Sequence, residues 1–239
     1  MGTAGRDVRG AGEFSHPDKL NLVLYALGRQ WIPDFGSMPY ETSDKAEWTA
    51  HTISHNTVVV DRVSQRPAGK LNLQWPVDHA KDRVVGKLER FDPSAKLVSA
   101  VCDRAYEGIS LQRTVQLARH CVVDQFRVAS NDPASTPHQF DYVLHMDGDL
   151  VESSLPLEPR AGKLGDACGY QHVQQKQGRT TTASLALKFK VGKQFFRIWI
   201  LPTDDRPGGC PRHTGRRIRT TWSGRSGRPG PDAEACGWD

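Results

Sequence analysis

The chain is a succession of short apolar or alternating runs set between turn-forming residues, and no segment sustains a helical apolar stripe over three turns. The clearest case is TASLALKFKV (182–191), where Ala183, Leu185, Leu187, Phe189 and Val191 fall on one face and small or basic residues on the other. Side chains alternate across a strand, so this period of two predicts a half-buried β-strand. LNLVLYAL (20–27), NTVVVD (56–61), KLVSAVCD (96–103), ISLQRTVQLA (109–118), CVVDQFRVA (121–129), FDYVLHM (140–146) and QFFRIWIL (194–201) read the same way. Asp92-Pro93, Asn131-Asp132-Pro133 and Val191-Gly192-Lys193 supply turn signals between them. The expected fold is all-β, an antiparallel β-sandwich or stacked sheets spanning 15–205.

The ends depart from this pattern. Residues 1–14 are glycine-rich and without periodicity, and read as a disordered lead-in. Residues 206–239 are rich in arginine, glycine and proline, with few large apolar side chains, and cannot bury enough surface to offset their ordering entropy. They read as a disordered or non-native tail. The formal charge of +5 is concentrated there. The tail holds seven arginines against three acids, so residues 1–205 are close to neutral. A nucleic-acid role through an arginine-rich arm is disfavoured by the absence of a basic stripe on the body. Five cysteines without CxxC spacing argue against a disulfide framework or a cysteine-based zinc site, and Cys102 and Cys121 are expected to be buried small hydrophobes. No run approaches the roughly 18 apolar residues of a membrane span. The first residues also lack the apolar stretch of an export signal.

The stretch from His16 to Gln65 carries the chemistry. His16, Asp34 and His55 sit on or beside apolar, strand-like segments, with Asp18, Tyr40 and His51 nearby in sequence. Such groups are costly to bury unless they pair, hydrogen-bond or hold a metal. Two histidines and a carboxylate form a recognised zinc ligand set. On patterning alone, hydrogen-bonded histidines at strand ends fit as well. His51 and His55 are four apart, but HTISH lacks the glutamate of a zinc-protease helix and precedes a β-branched run. Asp18 suits a group that orients a ligand histidine, and equally a solvated aspartate at a strand entry.

SHPDKLNLVLYALGRQWIPDFGS (15–37), the Tyr40 that follows and WTAHTISHNTVVVD (48–61) resemble the C-terminal β-domain of heparinase II/III-like polysaccharide lyases, a group that includes alginate and oligoalginate lyases. AYEG (105–108), the strand around Arg113 and HQFDYVLHMDGDL (138–150) are similar to later parts of that domain. The resemblance implies a Zn2+ ion held by His16, Asp34 and His55. It also implies a cleft tyrosine, Tyr40, with His145 and Trp48 as further cleft residues. The implied reaction is β-elimination on an acidic, uronic-acid polysaccharide, in the periplasm or outside the cell. Two departures qualify it. Phe14 stands where some members carry a second histidine. The helical toroid that supplies the other side of the active site in that family has no counterpart here, so the chain is expected to be a fragment without activity of its own. The alternative is a non-catalytic carbohydrate-binding or structural module, in which Trp31, Trp48 or Trp75 would stack on sugars.

Overall fold

The computed structural model describes residues 17–34, 48–66, 84–131 and 137–201, together with the backbone of 218–222. It divides into two compact units, Met1–Asp147 with Asp166–Tyr170, and Gly148–Gly165 with Gln171–Asp239. Among the described residues no helix is long and apolar enough to cross a membrane.

Among the described residues the first unit holds eight strands: β1 (Leu24–Ala26), β2 (Arg29–Ile32), β3 (Val58–Val60), β4 (Lys87–Asp92), β5 (Leu97–Tyr106), β6 (Ile109–Leu117), β7 (Val122–Ser130) and β8 (Phe140–Tyr142). Strands β4 to β7 form an antiparallel meander in chain order, β1 pairs with β2, and β3 pairs with β8. Local chemistry sets the turns. Between β1 and β2, Leu27 and Gly28 both take left-handed φ, as a two-residue hairpin turn requires. Between β4 and β5, the Asp92 carboxylate accepts from the Ser94 hydroxyl (2.6 Å) and the Ala95 amide (3.0 Å). These bonds, with Arg90 beside them, hold its carboxyl well below the usual carboxylate range. The core lies where β3 meets the inward residues of β5 and β6. Val58 and Val60 pack with Cys102, Ala105, Tyr106, Ile109 and Leu111, and Leu20, Phe126 and Val128 close the cluster.

The second unit holds β9 (Asp149–Ser153), β10 (Glu158–Pro159), β11 (Gln177–Thr181), β12 (Leu185–Val191), β13 (Gln194–Ile200) and β14 (Ile218–Trp222). They form two antiparallel sheets ordered β13-β12-β9 and β10-β11-β14. Leu185, Leu187 and Phe189 are buried on one face of β12, in the predicted alternation. Within 206–239 the described residues are Ile218–Trp222, and these pair in register with Gln177–Thr181.

The all-β, antiparallel reading therefore holds, while several run lengths are corrected. Only Leu24–Ala26 of the 20–27 run is a strand, because Leu20 and Leu27 adopt positive φ at either side of it. The strand in the 140–146 run ends at Tyr142: the Val143 amide still donates to the Thr57 carbonyl in register (2.9 Å), but the Thr57 amide turns to the His55 carbonyl (3.1 Å). Cys121 is exposed rather than buried, lying in the turn before β7. A contrast of two leucines on one strand checks the core assignment. Leu111→Ala, at a fully buried site, is expected to cost about 2–5 kcal/mol in urea unfolding, and Leu117→Ala, half exposed, less than about 0.5 kcal/mol.

Candidate functional site

The site is built where three segments of the first unit converge. Asp34 lies two residues past β2, and His55 follows the 3-10 turn Thr52–Ser54 and precedes β3. The Asp34 Oδ2 and His55 Nδ1 atoms are 2.9 Å apart, and His55 is 1% exposed. Asn21 Nδ2 donates to the same Asp34 oxygen at 2.6 Å. The other ring nitrogen of His55, Nε2, lies 3.2 Å from the Thr49 carbonyl oxygen.

The turn that carries His55 is tied on all sides. The Thr52 hydroxyl donates to the Pro17 carbonyl (2.7 Å) and accepts from the Gln65 amide (2.8 Å). The Gln65 side chain in turn accepts from the Lys19 amide (2.6 Å). Ser54 Oγ donates to the His51 carbonyl (2.7 Å), and His51 Nδ1 is 3.1 Å from Ser64 Oγ. The backbone next to His16 is thus fastened to the turn next to His55.

Asn56 joins the remaining segments. Its Nδ2 donates to the Pro33 carbonyl (2.9 Å), its Oδ1 accepts from the His145 amide (2.6 Å), and its own amide donates to Asn21 Oδ1 (2.9 Å). His145 Nε2 is 2.9 Å from the Ile53 carbonyl oxygen, and its ring meets Trp48 edge-on at 6.0 Å. Beneath this junction, Arg113 points from the inward face of β6. Nη1 donates to the carbonyls of Leu20 (2.7 Å) and Asn56 (2.6 Å). Nε donates to Asp124 Oδ1 (2.9 Å), and Nη2 to Asp124 Oδ2 (2.5 Å) and to the Tyr142 hydroxyl (3.1 Å). All five guanidinium protons are used.

Of the residues singled out in the sequence, Asp34 and His55 are brought together. His16 and Tyr40 lie outside the described residues, as does Trp75. Among the described residues no group of three His, Cys, Asp or Glu side chains is placed to hold a metal. His51 faces Ser64 rather than Asp34, and Asp18 pairs with Lys19 at 3.6 Å. Trp31 is 0% exposed, with its indole N–H on the Ala26 carbonyl (3.1 Å), which removes it as a sugar-stacking surface. Sequence reasoning gave no site role to Asn21, Asn56, Gln65 or Arg113, although the strand around Arg113 was among the elements of the resemblance. Arg113 did leave a signal, because it shares the inward parity of Ile109 and Leu111, where a charge is out of place.

A family model described as heparinase II/III-like, C-terminal, matches residues 4–233. The chain belongs to that family. An alginate lyase of Stenotrophomonas maltophilia (strain K279a) is 28% identical over 177 residues, covering 66% of this chain and 22% of that protein. An exo-oligoalginate lyase of Saccharophagus degradans (strain 2-40 / ATCC 43961 / DSM 17024) is 28% identical over 176 residues, covering 66% of this chain and 23% of the relative. The chain therefore spans less than a quarter of the length of the curated relatives it matches.

Two outcomes test the scaffold of the site. Arg113→Lys keeps a positive charge but cannot serve a bidentate carboxylate, a hydroxyl and two carbonyls at once. It is expected to lose about 3–5 kcal/mol in chemical unfolding, close to the loss in Arg113→Ala. The second is alkaline. Burial pushes the phenols of Tyr106 and Tyr170 well above their ordinary value of 10.0. The folded state then holds protons that the unfolded state releases. Stability is fully present below the unfolded value and falls as pH rises beyond it. Melting temperatures measured across that range should drop, and Tyr106→Phe should make the drop shallower.

Proposed function

We propose that this chain is the zinc-binding β-domain of a polysaccharide lyase acting on an acidic, uronic-acid-containing polysaccharide of the alginate class. In this reading His16, Asp34 and His55 hold the metal. The observation that carries it is the buried contact between the Asp34 carboxylate and the His55 imidazole. Membership of the heparinase II/III-like C-terminal family and the two lyase relatives support the substrate class.

The residues present fit a divalent cation. His55 has an acceptor oxygen against each ring nitrogen, the Asp34 carboxylate on one side and the Thr49 carbonyl on the other. A neutral imidazole has a single N–H, so only one of these contacts is a hydrogen bond in that state. A cation between carboxylate and imidazole would take the place of the missing proton. His16, which opens HPDKL three positions before Lys19, is the third ligand that the family resemblance implies. Zinc held there would supply a fixed positive charge binding the Asp34 and His55 segments together.

In the reaction proposed, a base removes the proton at C5 of a uronate while its carboxylate is neutralised. The C4–O bond then breaks to leave a C4–C5 double bond, and the departing oxygen takes a proton from an acid. We assign that last donation to Tyr40. The base and the carboxylate-neutralising groups belong to a helical region of a longer protein, so the chain by itself turns over no polysaccharide.

Metal analysis of the purified, folded chain is expected to give about one zinc per molecule, as for a single-ion site. His16→Ala, Asp34→Ala and His55→Ala should each abolish it. A well-folded wild-type chain free of zinc after purification with zinc present would overturn the metal reading. In the full-length protein, Tyr40→Phe should lower kcat on alginate by about 10²–10⁴-fold with little change in KM, followed by the ultraviolet absorbance of the unsaturated product. An unchanged kcat would remove Tyr40 as the acid.

A further inference from the structure

We infer that Asn21 is a positioning residue that sets the orientation of the Asp34 carboxylate toward His55. Amide oxygen and nitrogen are easily confused, but here the network fixes which is which. The Asn56 backbone N–H can only donate, and it lies 2.9 Å from Asn21 Oδ1. Nδ2 of Asn21 must therefore face Asp34, where it donates to Oδ2 at 2.6 Å. The same oxygen lies 2.9 Å from His55 Nδ1. One carboxylate oxygen is thereby held between the Asn21 amide and the His55 ring, and the plane of the carboxylate follows.

Asn21 can do this because its own backbone is fixed at both sides. Its amide donates to the Asp18 carbonyl (3.0 Å) in a turn where Leu20 takes a left-handed φ of 60°. That conformation is unfavourable for leucine, and it is sustained by two neighbours. The Leu20 side chain packs on the core cluster, and the Leu20 carbonyl accepts from Arg113. The same guanidinium group grips the Asn56 carbonyl. Arg113 therefore fixes the residue before Asn21 and the residue to which Asn21 is anchored. The order of support runs from Arg113 through Leu20 and Asn56 to Asn21, then to Asp34 and His55. Partners of this kind orient metal ligands, and their loss typically weakens metal binding by about 10–100-fold.

The zinc arm of this inference rests on the metal reading given above, whereas the carboxylate orientation does not, and the experiment separates them. Asn21→Leu keeps the approximate volume and removes the donation to Asp34. Gln65→Met serves as the control. It deletes another buried amide from the same junction, one bonded to Lys19, without touching Asp34 or His55 in any hydrogen bond seen here. Two quantities are measured on the 239-residue chain with selectively nitrogen-15-labelled histidine. They are the His55 ring-nitrogen resonances in zinc-free protein and the zinc dissociation constant by chelator competition. Asn21→Leu should shift the His55 resonances and weaken zinc by about 10–100-fold, whereas Gln65→Met should lower the melting temperature and leave the His55 resonances unchanged. Should Asn21→Leu not fold, Asn21→Ser, whose hydroxyl is too short to span Asn56 and Asp34 together, takes its place with the same expectation. Wild-type-like resonances in the Asn21 variant would overturn the inference. So would equal shifts in both variants, which would reduce Asn21 to a general structural tie. Shifted resonances in a chain that binds no zinc would leave the role of Asn21 standing and remove the metal reading alone.

Discussion

The first unit depends on one buried cation. Arg113 sits on the inward face of β6, flanked by the rings of Phe126 and Tyr142, with its guanidinium carbon 5.4 and 5.8 Å from their centroids. A charge in that position would be prohibitively costly without partners. It has a carboxylate, a hydroxyl and two backbone carbonyls, which together take every proton it can donate. The strength of the arrangement lies less in the ion pair than in what it ties. Replacing a buried ion pair with apolar groups is often neutral, whereas removing one partner is not. Here the partners include the backbone of Leu20 and Asn56, which no apolar side chain could satisfy. The meander is thereby joined to two irregular segments whose carbonyls the guanidinium group helps to satisfy.

Those two segments hold the chemistry. Irregular backbone is usually exposed, because buried loops leave polar groups without partners. Around Asp34 and His55 the problem is met by side chains. Asn56 uses its amide, its carbonyl and both ends of its side chain, and Gln65 and Thr52 do similar work for Lys19 and Pro17. This is a rigid setting for a carboxylate and an imidazole, and rigidity is what a metal ligand or an oriented polar group needs.

What the sequence made legible follows from where the physics is periodic. β6, β7, β12 and β13 were readable because one face of each is more buried than the other, and the alternation records it. KLERFD in β4 and the short β9, β10 and β11 gave no such record. β4 is exposed along most of its length, and QGRTT of β11 has no large apolar residue to alternate. The 20–27 run misled for the opposite reason. Its apolar residues are real core and hairpin residues, but Leu20 and Leu27 are in left-handed turns, a backbone property that hydrophobicity does not encode. At the site, Asp34 and His55 stood out as titratable groups in apolar surroundings. Asn21 and Asn56 stood in the same surroundings and carried the same information. They were passed over because a neutral amide does not announce chemistry.

That oversight bears on how such a site should be understood. A histidine and an aspartate brought to 2.9 Å can be an ion pair, a hydrogen bond or two arms of a metal site, and the pair alone does not distinguish these. The surroundings narrow the choice. Asn21 occupies the Asp34 oxygen that faces His55, and the Thr49 carbonyl faces the far side of the ring. An ordinary neutral pair would leave one of these acceptors opposed to a lone pair. In the reading proposed above, a cation entering the contact would relieve that opposition. The network built on Arg113 is thus more than reinforcement. By fixing where the donors and acceptors point, it sets the geometry in which Asp34 and His55 meet.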